Sequence, residues 1–367
     1  MKAFNHKYYW VLFLMAVSAA NAQQKDSFAL QVFTEAYASL IPNRPFNNKR
    51  PAFHYNYTKA NNTGINLALA RIHYSNNMFR TNFGMMAGDY PTANLADEAS
   101  WTRNFYEANA GFKLLKHREL WVDAGLMPSH LGIETAIGRD NITATRSIVA
   151  DNSPYYETGV RFSYKPSDKW YMALLATTGW QNITIPGGVN GAGWGMQLTY
   201  TPSTKFIINH SSFIGEALVN ERSGTRIYFN HYAALALSNR SNLTLGWDIG
   251  FQENPLNVNQ TFIWNGFIGL YQYQLKPGKW NVGLRYERFI DNNNVLFGTA
   301  STIPANFNLH HTSVNIDWKP VNGLMLRAEA NYKDSPNPLF YKGNRLTHNQ
   351  FAAFFIVSYN FQYSKKR

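Results

Sequence analysis

The sequence predicts an all-β fold: a transmembrane, antiparallel, up-and-down β-barrel of about sixteen strands, with about 14 or 18 as the alternatives. Three observations support this class. Short segments throughout the chain alternate between apolar and polar residues, the first residues have the features of an export signal, and aromatic residues make up 16% of the chain. No apolar run reaches the roughly 18 residues that a spanning helix needs. A membrane protein without such helices crosses the bilayer with strands that close into a barrel.

The clearest alternation lies at residues 243–252. Its odd-numbered positions are apolar and its even-numbered positions are polar or glycine: Leu243, Leu245, Trp247, Ile249 and Phe251 against Thr244, Gly246, Asp248, Gly250 and Gln252. Because successive side chains of a strand point to opposite faces, this segment has one face for lipid and one for the barrel interior. We expect the interior face to be hydrated, so that a charge such as that of Asp248 is solvated there.

Residues 1–22 have the features of a cleaved secretory signal peptide. Two lysines precede an apolar stretch at 10–19, and Ala-Asn-Ala at 20–22 is a cleavage site. About ten apolar residues are too few to span a bilayer, which argues against a membrane anchor. We therefore expect residues 23–367 to form a single barrel domain of an exported protein.

Composition narrows the class further. The chain has no cysteine, so neither disulfides nor thiolate metal sites are expected. Its formal net charge is +12, or +10 after the two lysines of the signal are removed. In a soluble protein this excess would suggest nucleic-acid binding. An exported envelope protein does not meet nucleic acid, so we expect no nucleic-acid partner. The basic residues would instead lie in the pore or at its outer rim.

Strand-like segments alternate with short and long connections. Short turns rich in Pro, Gly, Asn and Ser follow every second strand, and longer polar segments follow the others, as in an up-and-down barrel. The segments are 28–38, 63–74, 78–88, 101–113, 119–128, 154–165, 169–179, 193–202, 204–214, 223–237, 241–252, 261–275, 279–290, 307–319, 322–333 and 348–363. The long connections are 39–62, 89–100, 129–153, 180–192, 215–222, 253–260, 291–306 and 334–347.

Most strands divide cleanly into two faces, with their charged residues on one of them. Three segments, 63–74, 204–214 and 261–275, leave the assignment of faces open. A soluble β-sandwich would also alternate. The apolar face, however, is uninterrupted from strand to strand, which favours lipid over a second sheet as its environment. The last segment, 348–363, is rich in aromatic residues, as expected of a strand recognised by barrel-assembly machinery.

Several short segments carry a resemblance to a known family. They are Phe105-Tyr-Glu-Ala108, Gly125 with Gly132-Ile-Glu134, Pro154-Tyr-Tyr-Glu-Thr-Gly159, Thr178-Gly-Trp180, Leu198-Thr-Tyr-Thr-Pro202, Arg285-Tyr-Glu-Arg-Phe289 with Asp291, and Arg327-Ala-Glu329 with Tyr332 and Asp334. In this order and spacing, over nearly the whole mature chain, they resemble the outer-membrane β-barrel porins of the OmpL-like family. The resemblance implies a channel-forming role in the outer membrane. It implies no particular substrate and assigns no binding role to a single residue.

The face opposite the apolar one carries charges of both signs. The predicted pore-lining residues are Arg80, Glu107, Asp123, Glu157, Arg161, Arg226, Asp248, Arg285, Glu287, Asp317, Arg327 and Glu329. Separate rows of opposite charge would produce a field across the pore that sets ion preference. Alternatively, these residues pair with their neighbours and only stiffen the wall. Arg285 with Glu287, and Arg327 with Glu329, are two apart on one face and fit this second interpretation.

The connection at 129–153 is a candidate constriction loop. It is about 25 residues long, and such loops without regular structure are uncommon unless they have a function. Its charged candidates are Glu134, Arg139, Asp140, Arg146 and Asp151. Folded into the barrel, the loop would narrow the pore and place these charges at the narrowest point. An ordinary outer loop in contact with the medium is the alternative.

Candidate catalytic or metal-binding residues are few. His130 and Glu134 have the spacing of metal ligands on a helix, but Gly132 between them and the loop setting weaken that interpretation. His310 and His311 are adjacent in a strand and point to opposite faces, as do His210 and Ser211. The sequence therefore predicts no catalytic residue, no metal and no cofactor, and it argues against an enzyme, with a barrel-borne hydrolase as the weak alternative.

The favoured function is that of an outer-membrane porin of a Gram-negative bacterium, a water-filled channel for passive diffusion of small hydrophilic solutes and ions. Barrels of 16–18 strands are wide enough to hold an aqueous channel. The alternative is a barrel with a plugged lumen that binds a ligand or partner. The expected partners are outer-membrane lipid and lipopolysaccharide, small hydrophilic solutes and the barrel-assembly machinery, with a homo-oligomer as an open possibility.

Overall fold

The computed structural model describes residues 26–219, 221–297 and 306–366, so the predicted signal peptide at 1–22 lies outside the described residues. Eighteen strands and two short helices, α1 (Asp89–Asn94) and α2 (Ile148–Asp151), occur in this part of the chain. The strands are β1 Ser27–Leu40, β2 Thr63–Ser75, β3 Phe79–Ala87, β4 Phe105–Lys113, β5 Glu119–Pro128, β6 Tyr156–Ser167, β7 Trp170–Thr177, β8 Gly193–Ser203, β9 Phe206–Val219, β10 Arg222–Ala236, β11 Ser241–Asn254, β12 Asn257–Lys276, β13 Trp280–Asp291, β14 Phe307–Trp318, β15 Leu324–Asp334, β16 Phe340–Lys342, β17 Arg345–Thr347 and β18 Asn349–Lys366.

Sixteen of these strands form one closed antiparallel barrel. Each pairs with its neighbours in the chain, and β1 closes the barrel by pairing with β18, in register from Ser27 opposite Lys366 to Leu40 opposite Ala353. The remaining two, β16 and β17, form a small hairpin in the connection before β18. Closure leaves no strand edge of the barrel unpaired, which is the requirement for crossing lipid with strands. The predicted fold class and strand number are confirmed.

The two ends of the barrel differ. Short turns, such as those after β2, β6 and β8, lie at one end together with both ends of the described chain; we call it the turn end. The connections 41–62, 88–104, 129–155 and 335–348 lie at the opposite end, the loop end. Most of the predicted long connections 215–222 and 253–260 belongs instead to strands, because β9 to β12 continue beyond their alternating parts.

The outer face is an apolar belt. Phe83, Trp247, Leu284, Val314 and Phe361 are each about half exposed, and on most barrel strands such residues alternate with buried ones. At the turn end aromatic rings stack in pairs on neighbouring strands, Trp170 on Tyr200 and Trp280 on Trp318. A band of apolar side chains bounded by aromatic residues matches the hydrocarbon layer of a bilayer and its interface. No helix among the described residues is long and apolar enough to span a membrane.

The hydrophobic core lies inside the barrel. Its largest cluster joins the inner face of the wall, for example Trp264, Phe289 and Phe307, to residues of two connections, among them Phe53 and Ile148. These two connections, at 41–62 and 129–153, therefore fold into the barrel from the loop end. Burial of apolar side chains, at roughly 25 cal/mol per Å², holds them against the wall.

Candidate channel interior

The connection at 129–153 crosses the interior from one wall to the other. On the near wall, His130 Nδ1 lies 2.8 Å from Glu157 of β6 and its Nε2 lies 2.9 Å from the carbonyl oxygen of Ser212 on β9. Ser211 also donates a hydrogen bond to the carbonyl oxygen of His130. Although burial disfavours the charged imidazole, the adjacent Glu157 carboxylate raises the pKa of His130. A charged His130 therefore fixes the first residues of the loop to the wall.

On the far wall, two carboxylates hold the middle of the loop. Glu329 of β15 accepts hydrogen bonds from the backbone N–H groups of Ala144, at 2.6 Å, and Thr145, at 3.0 Å, and from the Thr145 hydroxyl. Glu287 of β13 accepts a hydrogen bond of 2.7 Å from the N–H of Ile148, the first residue of α2. Both carboxylates are fully buried, and charge-assisted hydrogen bonds to backbone donors offset the loss of hydration.

Two arginines of the same wall bind the loop's carbonyl groups. Arg327 forms a bidentate ion pair with Asp317, at 2.6 and 2.8 Å, and donates further bonds to the carbonyl oxygens of Gly138 and Asn141. Arg285 donates to the Thr143 hydroxyl and to the carbonyl of Thr145. Arg285 and Glu287 are 3.8 Å apart, whereas Arg327 pairs with Asp317 and not with Glu329. The predicted Arg327–Glu329 pair is therefore wrong, because Glu329 binds the loop.

Glycines on the inner wall make room for the loop. A Cβ atom on Gly283 would lie 2.5 Å from the carbonyl oxygen of Ile142, and one on Gly266 would lie 2.5 Å from Cγ2 of Val149. Carbon atoms do not approach other heavy atoms so closely, so either position needs glycine for the loop to reach the wall. The polar-or-glycine face of the alternating strands thus contains contact sites for the inserted loop.

The connection at 41–62 packs on top of this loop. Asp151 accepts a hydrogen bond of 2.8 Å from Asn56 and lies 3.4 Å from Nδ1 of His54. Arg146 approaches the same carboxylate at 3.5 Å. Burial raises the pKa of Asp151 to about 6, although Arg146 and the nearby Arg50 lower it. The connections at 41–62 and 129–153 therefore pack together around the buried carboxyl group of Asp151.

Four of the five constriction candidates, Glu134, Arg139, Arg146 and Asp151, bind other residues of the loop or residues around it. Glu134 accepts hydrogen bonds from the Ser147 N–H and hydroxyl, and Arg139 donates to the carbonyl of Gly323 at the turn end. Arg146 is sandwiched between two aromatic rings, Tyr90 at 5.1 Å and Tyr155 at 3.5 Å. Burial raises the pKa of Asp140. These charges stabilise the loop inside the barrel rather than projecting into open water. His130 and Glu134 bind different partners, and the described residues contain no group of three metal-binding side chains.

The predicted pore-lining residues lie on the inner face, but water reaches few of them. Ten of the twelve are at most about 3% exposed: Glu107, Asp123, Glu157, Arg226, Asp248, Arg285, Glu287, Asp317, Arg327 and Glu329. Arg226, for instance, packs against the rings of Trp180 and Trp264. The expectation of a hydrated inner face is therefore wrong over much of the wall, because the inserted segments occupy that space.

The accessible part of the charged wall lies on β3 to β6. The side chains of Arg80 and Arg161 are 28% and 23% exposed and flank Asp123, with Arg80 making a bidentate pair at 2.5 and 2.6 Å. Gly111 stands between Arg80 and Asp123 in the register, and a Cβ there would overlap the carboxylate. Lys165 of β6 adds a further partly exposed positive charge, which pairs at 3.3 Å with Asp168 of the following turn. This surface, which we call the Arg80 sector, carries more positive than negative charge.

Some residues of the interior were not among the predicted candidates. Arg50, His54 and Asn56 belong to the connection at 39–62, whose length was the only signal. Lys333 follows Arg327 and Glu329 at the same two-residue spacing on β15 and is fully buried. His311 contacts Glu287 at 2.5 Å and points inward, while His310 on the other face contacts Tyr286. The alternation that assigned Arg327 to the inner face of β15 also assigns Lys333 to it, so Lys333 could have been predicted as well.

Fold and interior together define a sixteen-stranded barrel of the outer-membrane porin class, which indicates a channel rather than an enzyme. The chain belongs to the family described as "Putative beta-barrel porin-2, OmpL-like", whose profile matches residues 27–362. The family confirms the resemblance seen in the sequence and indicates the outer membrane of a Gram-negative bacterium. Among curated protein sequences, none matches this chain significantly.

Solved structures with the same fold include several porins. The outer-membrane channel DcaP of Acinetobacter baumannii superposes with a TM-score of 0.63 at 9% identity, covering 94% of this chain and 100% of that one. An anion-selective porin from Comamonas acidovorans gives 0.57 at 8% identity, covering 91% and 98%. The trimer form of OmpT, an outer-membrane protein of Vibrio cholerae, gives 0.56 at 11% identity, covering 93% and 100%. At these identities the similarity concerns the fold alone.

Proposed function

We propose that this protein is a porin for passive diffusion of small hydrophilic solutes and ions, with a preference for anions. The observation that carries the proposal is the Arg80 sector, where Arg80 and Arg161 remain accessible on the inner wall beside a single aspartate, Asp123. Lys165, at the end of β6, pairs with Asp168 of the following turn. The inserted loop lies against the opposite wall, β13 to β15. Solutes would therefore pass between the loop and the Arg80 sector.

Excess positive charge along this path attracts anions. One unit charge acts on an ion about 7 Å away in water with roughly 0.6 kcal/mol, or about threefold in local ion concentration. The effect grows where the surrounding protein lowers the dielectric constant, and salt weakens it. Arg161 acts in the same direction as Arg80, and Asp123 offsets one of these two charges, while Asp168 offsets that of Lys165.

Planar-bilayer recording of the purified, reconstituted protein tests the proposal. We expect discrete channels whose reversal potential in a KCl gradient favours chloride. Arg80→Gln should lower the chloride preference, by up to about threefold. Arg240→Gln removes the same charge from an exposed turn and is the matched control, which should leave selectivity unchanged. Equal selectivity of both variants would refute the role of the Arg80 sector, and protein that forms no channels would refute the porin.

Deleting Glu134 to Asp151 tests the loop's contribution to the size of the channel. If the loop is a constriction, its removal opens the far wall to water, so the wall charges that it covers become hydrated. We expect single-channel conductance to rise, because the lumen widens and the wall residues Arg285, Glu287, Arg327 and Glu329 become accessible to ions. Unchanged conductance would show that the loop does not narrow the channel, and it would leave the proposal of a porin intact.

A second function, a barrel with a plugged lumen that binds a ligand or partner, is favoured by one specific observation. Arg285, Glu287, Arg327 and Glu329 are at most 2% exposed, so one half of the interior is packed like the core of a soluble protein. The bilayer experiment distinguishes the two functions, because a plugged barrel inserts and folds without conducting ions.

The partners that we propose follow from the same assignment. The apolar belt would contact outer-membrane lipid and lipopolysaccharide, and the aromatic strand β18 would be recognised by the barrel-assembly machinery. A homo-oligomer is supported by the trimer form of the similar Vibrio cholerae protein. Cross-linking in native membranes, followed by sedimentation of the extracted protein, would determine the oligomeric state.

A further inference from the structure

A group of polar side chains meets in the interior near the loop end, outside the contacts described so far. Its members come from β15, β18 and the inserted connection at 41–62, and each is at most 5% exposed: Arg50, His54, Lys333 and Gln350. We call this group the inner basic cluster. Lys333 and Gln350 are direct register partners on the inner face, and Lys333 is also the partner of His311, whose ring centre lies 6.4 Å from that of His54.

Arg50 joins the cluster from the side. Its guanidinium group lies 4.9 Å from the ring of Phe354, four residues beyond Gln350 on β18. Burial, and then the charges of Arg50, Lys333 and Arg285, lower the pKa of His54 well below its usual value, so its ring is neutral.

The two basic side chains of the cluster, Arg50 and Lys333, have no ion-pair partner among the described residues. No carboxylate lies within 4.0 Å of Arg50 or Lys333; the nearby Glu287 and Glu329 bind the backbone of the loop at 129–153 instead. Burial lowers the pKa of Arg50 only to about 10, so it remains charged at neutral pH. A buried cation without a counter-ion costs several kcal/mol, so such groups are paired in folded proteins.

Hydrogen-bonding groups of the cluster are also unused. Arg50 donates one bond of 2.7 Å to the carbonyl of Asn56, which leaves its Nε and Nη2 without a partner. Lys333 donates one bond, to Asn331. The amide oxygen and nitrogen of Gln350 and Nε2 of His54 have no partner within the protein. Since buried polar groups are almost always hydrogen-bonded, these atoms indicate a ligand that both accepts and donates.

We propose that the inner basic cluster binds a small oxyanion that carries a hydroxyl group, of which hydrogenphosphate is the simplest. Its oxygens accept hydrogen bonds from Arg50 and Lys333. Nδ1 of His54 faces Asp151, a carboxylate that only accepts, so it carries the ring's proton. Nε2 of His54 is then an acceptor and receives a hydrogen bond from the hydroxyl group of the ligand. Gln350 serves either role through its two amide atoms.

The bound anion joins the connection at 41–62 to the wall at β15 and β18. It supplies a counter-charge to Arg50 and a hydrogen-bond acceptor to Lys333, and therefore stabilises the inserted segments whether or not the barrel conducts. The free ion and a phosphate ester of a larger solute share this chemistry. The aromatic residues Phe53, Phe307 and Phe340 pack together at the loop end, which favours the small free ion.

Isothermal titration calorimetry of the folded full-length protein in detergent, with inorganic phosphate at pH 7 as the probe, tests the site. We expect one phosphate per barrel and weaker binding of sulfate, which has no hydroxyl group. Lys333→Met should weaken binding about tenfold or more, the loss of one charge-assisted hydrogen bond. Lys276→Met, at an exposed position on β12, is the matched control and should bind like the unaltered protein.

Gln350→Leu provides a second variant in case Lys333→Met fails to fold, and it should also weaken phosphate binding. A small phosphate ester titrated in parallel distinguishes the two sources of the ligand, and the free ion should bind more tightly. The absence of phosphate binding, or equal binding by the two cluster variants and Lys276→Met, would overturn the site. Equal affinity for sulfate would overturn the assignment of His54 as an acceptor.

Discussion

Asp248 illustrates how far a single residue can be understood from the strand pattern. The alternation at 243–252 assigns it correctly to the inner face. Its surroundings are not those expected, because it is 2% exposed and accepts hydrogen bonds from the Tyr228 hydroxyl and, at 2.6 Å, from Asn230. Alternation reports which way a side chain points, whereas hydration depends on what fills the space in front of it. That space is occupied by segments distant in the sequence.

Asp248→Asn should therefore destabilise the barrel. With its amide oxygen toward Asn230, the new side chain turns its amide nitrogen to the Tyr228 hydroxyl. The buried Tyr228 proton then loses its carboxylate acceptor, at a cost of about 1–3 kcal/mol. Denaturant unfolding in lipid vesicles, followed by tryptophan fluorescence, measures the change in free energy. Trp247→Arg, one residue away on the lipid face, should cost about 2–4 kcal/mol near the bilayer centre. A neutral Asp248→Asn would mean that the inner face is hydrated there after all.

Asp151 makes the stability of the interior depend on pH. Its pKa is raised from 3.8 to about 6 by burial, so the folded protein binds its proton more tightly than the unfolded chain does. Stability should consequently fall as pH rises from about 4 to about 6, by on the order of 3 kcal/mol from this group. Asp151→Asn should remove this part of the pH dependence. An identical dependence in both proteins between pH 4 and 7 would contradict the assignment.

At the scale of elements, the sequence predicted the positions of the strands. It predicted which residues face inward for only some of them. Every predicted strand is present, with most bounds within a few residues. The three ambiguous segments correspond to β2, β9 and β12, whose inward residues include Leu67, Phe213 and Ile268, all buried. These apolar residues pack against the inserted connections. Both faces of these strands therefore contain apolar residues, and the sequence pattern does not distinguish them. The hairpin of β16 and β17 was missed because each strand has only three residues.

The glycine contacts predict how the loop at 129–153 responds to a single added carbon atom. Gly283→Ala places a methyl group 2.5 Å from the carbonyl oxygen of Ile142, so loop and wall must separate. Overpacking of this kind costs about 1–3 kcal/mol. We expect lower unfolding free energy together with altered single-channel conductance. Gly269→Ala is the control, because its Cβ would meet only Leu245 at an ordinary 3.6 Å. Equal unfolding free energies and conductances of the two variants would contradict close packing of the loop against the wall at Gly283.

For the whole molecule, the sequence predicts the closed barrel but not the contents of its lumen. Closure follows from local information, namely the period of alternation and the regular change between short and long connections. The packing of 41–62 and 129–153 inside the barrel depends on contacts such as Glu329 with Ala144, which join residues far apart in the chain. The length of 129–153 was the only feature that made it a candidate constriction loop. No pattern in the neighbouring sequence identified the wall residues that bind it.

The orientation of the barrel in the membrane gives the last prediction. Long polar connections face the exterior in such barrels, and short turns face the periplasm. The connection at 129–153 is unsuitable for a test, since it is buried in the lumen. An epitope inserted at Gly343, where the β16–β17 hairpin leaves open space around the backbone, should react with antibody on intact cells. The same epitope at Ser167, in the turn after β6, should react only after the cells are opened. Labelling of the Ser167 insertion on intact cells would show that the barrel is inserted the other way round.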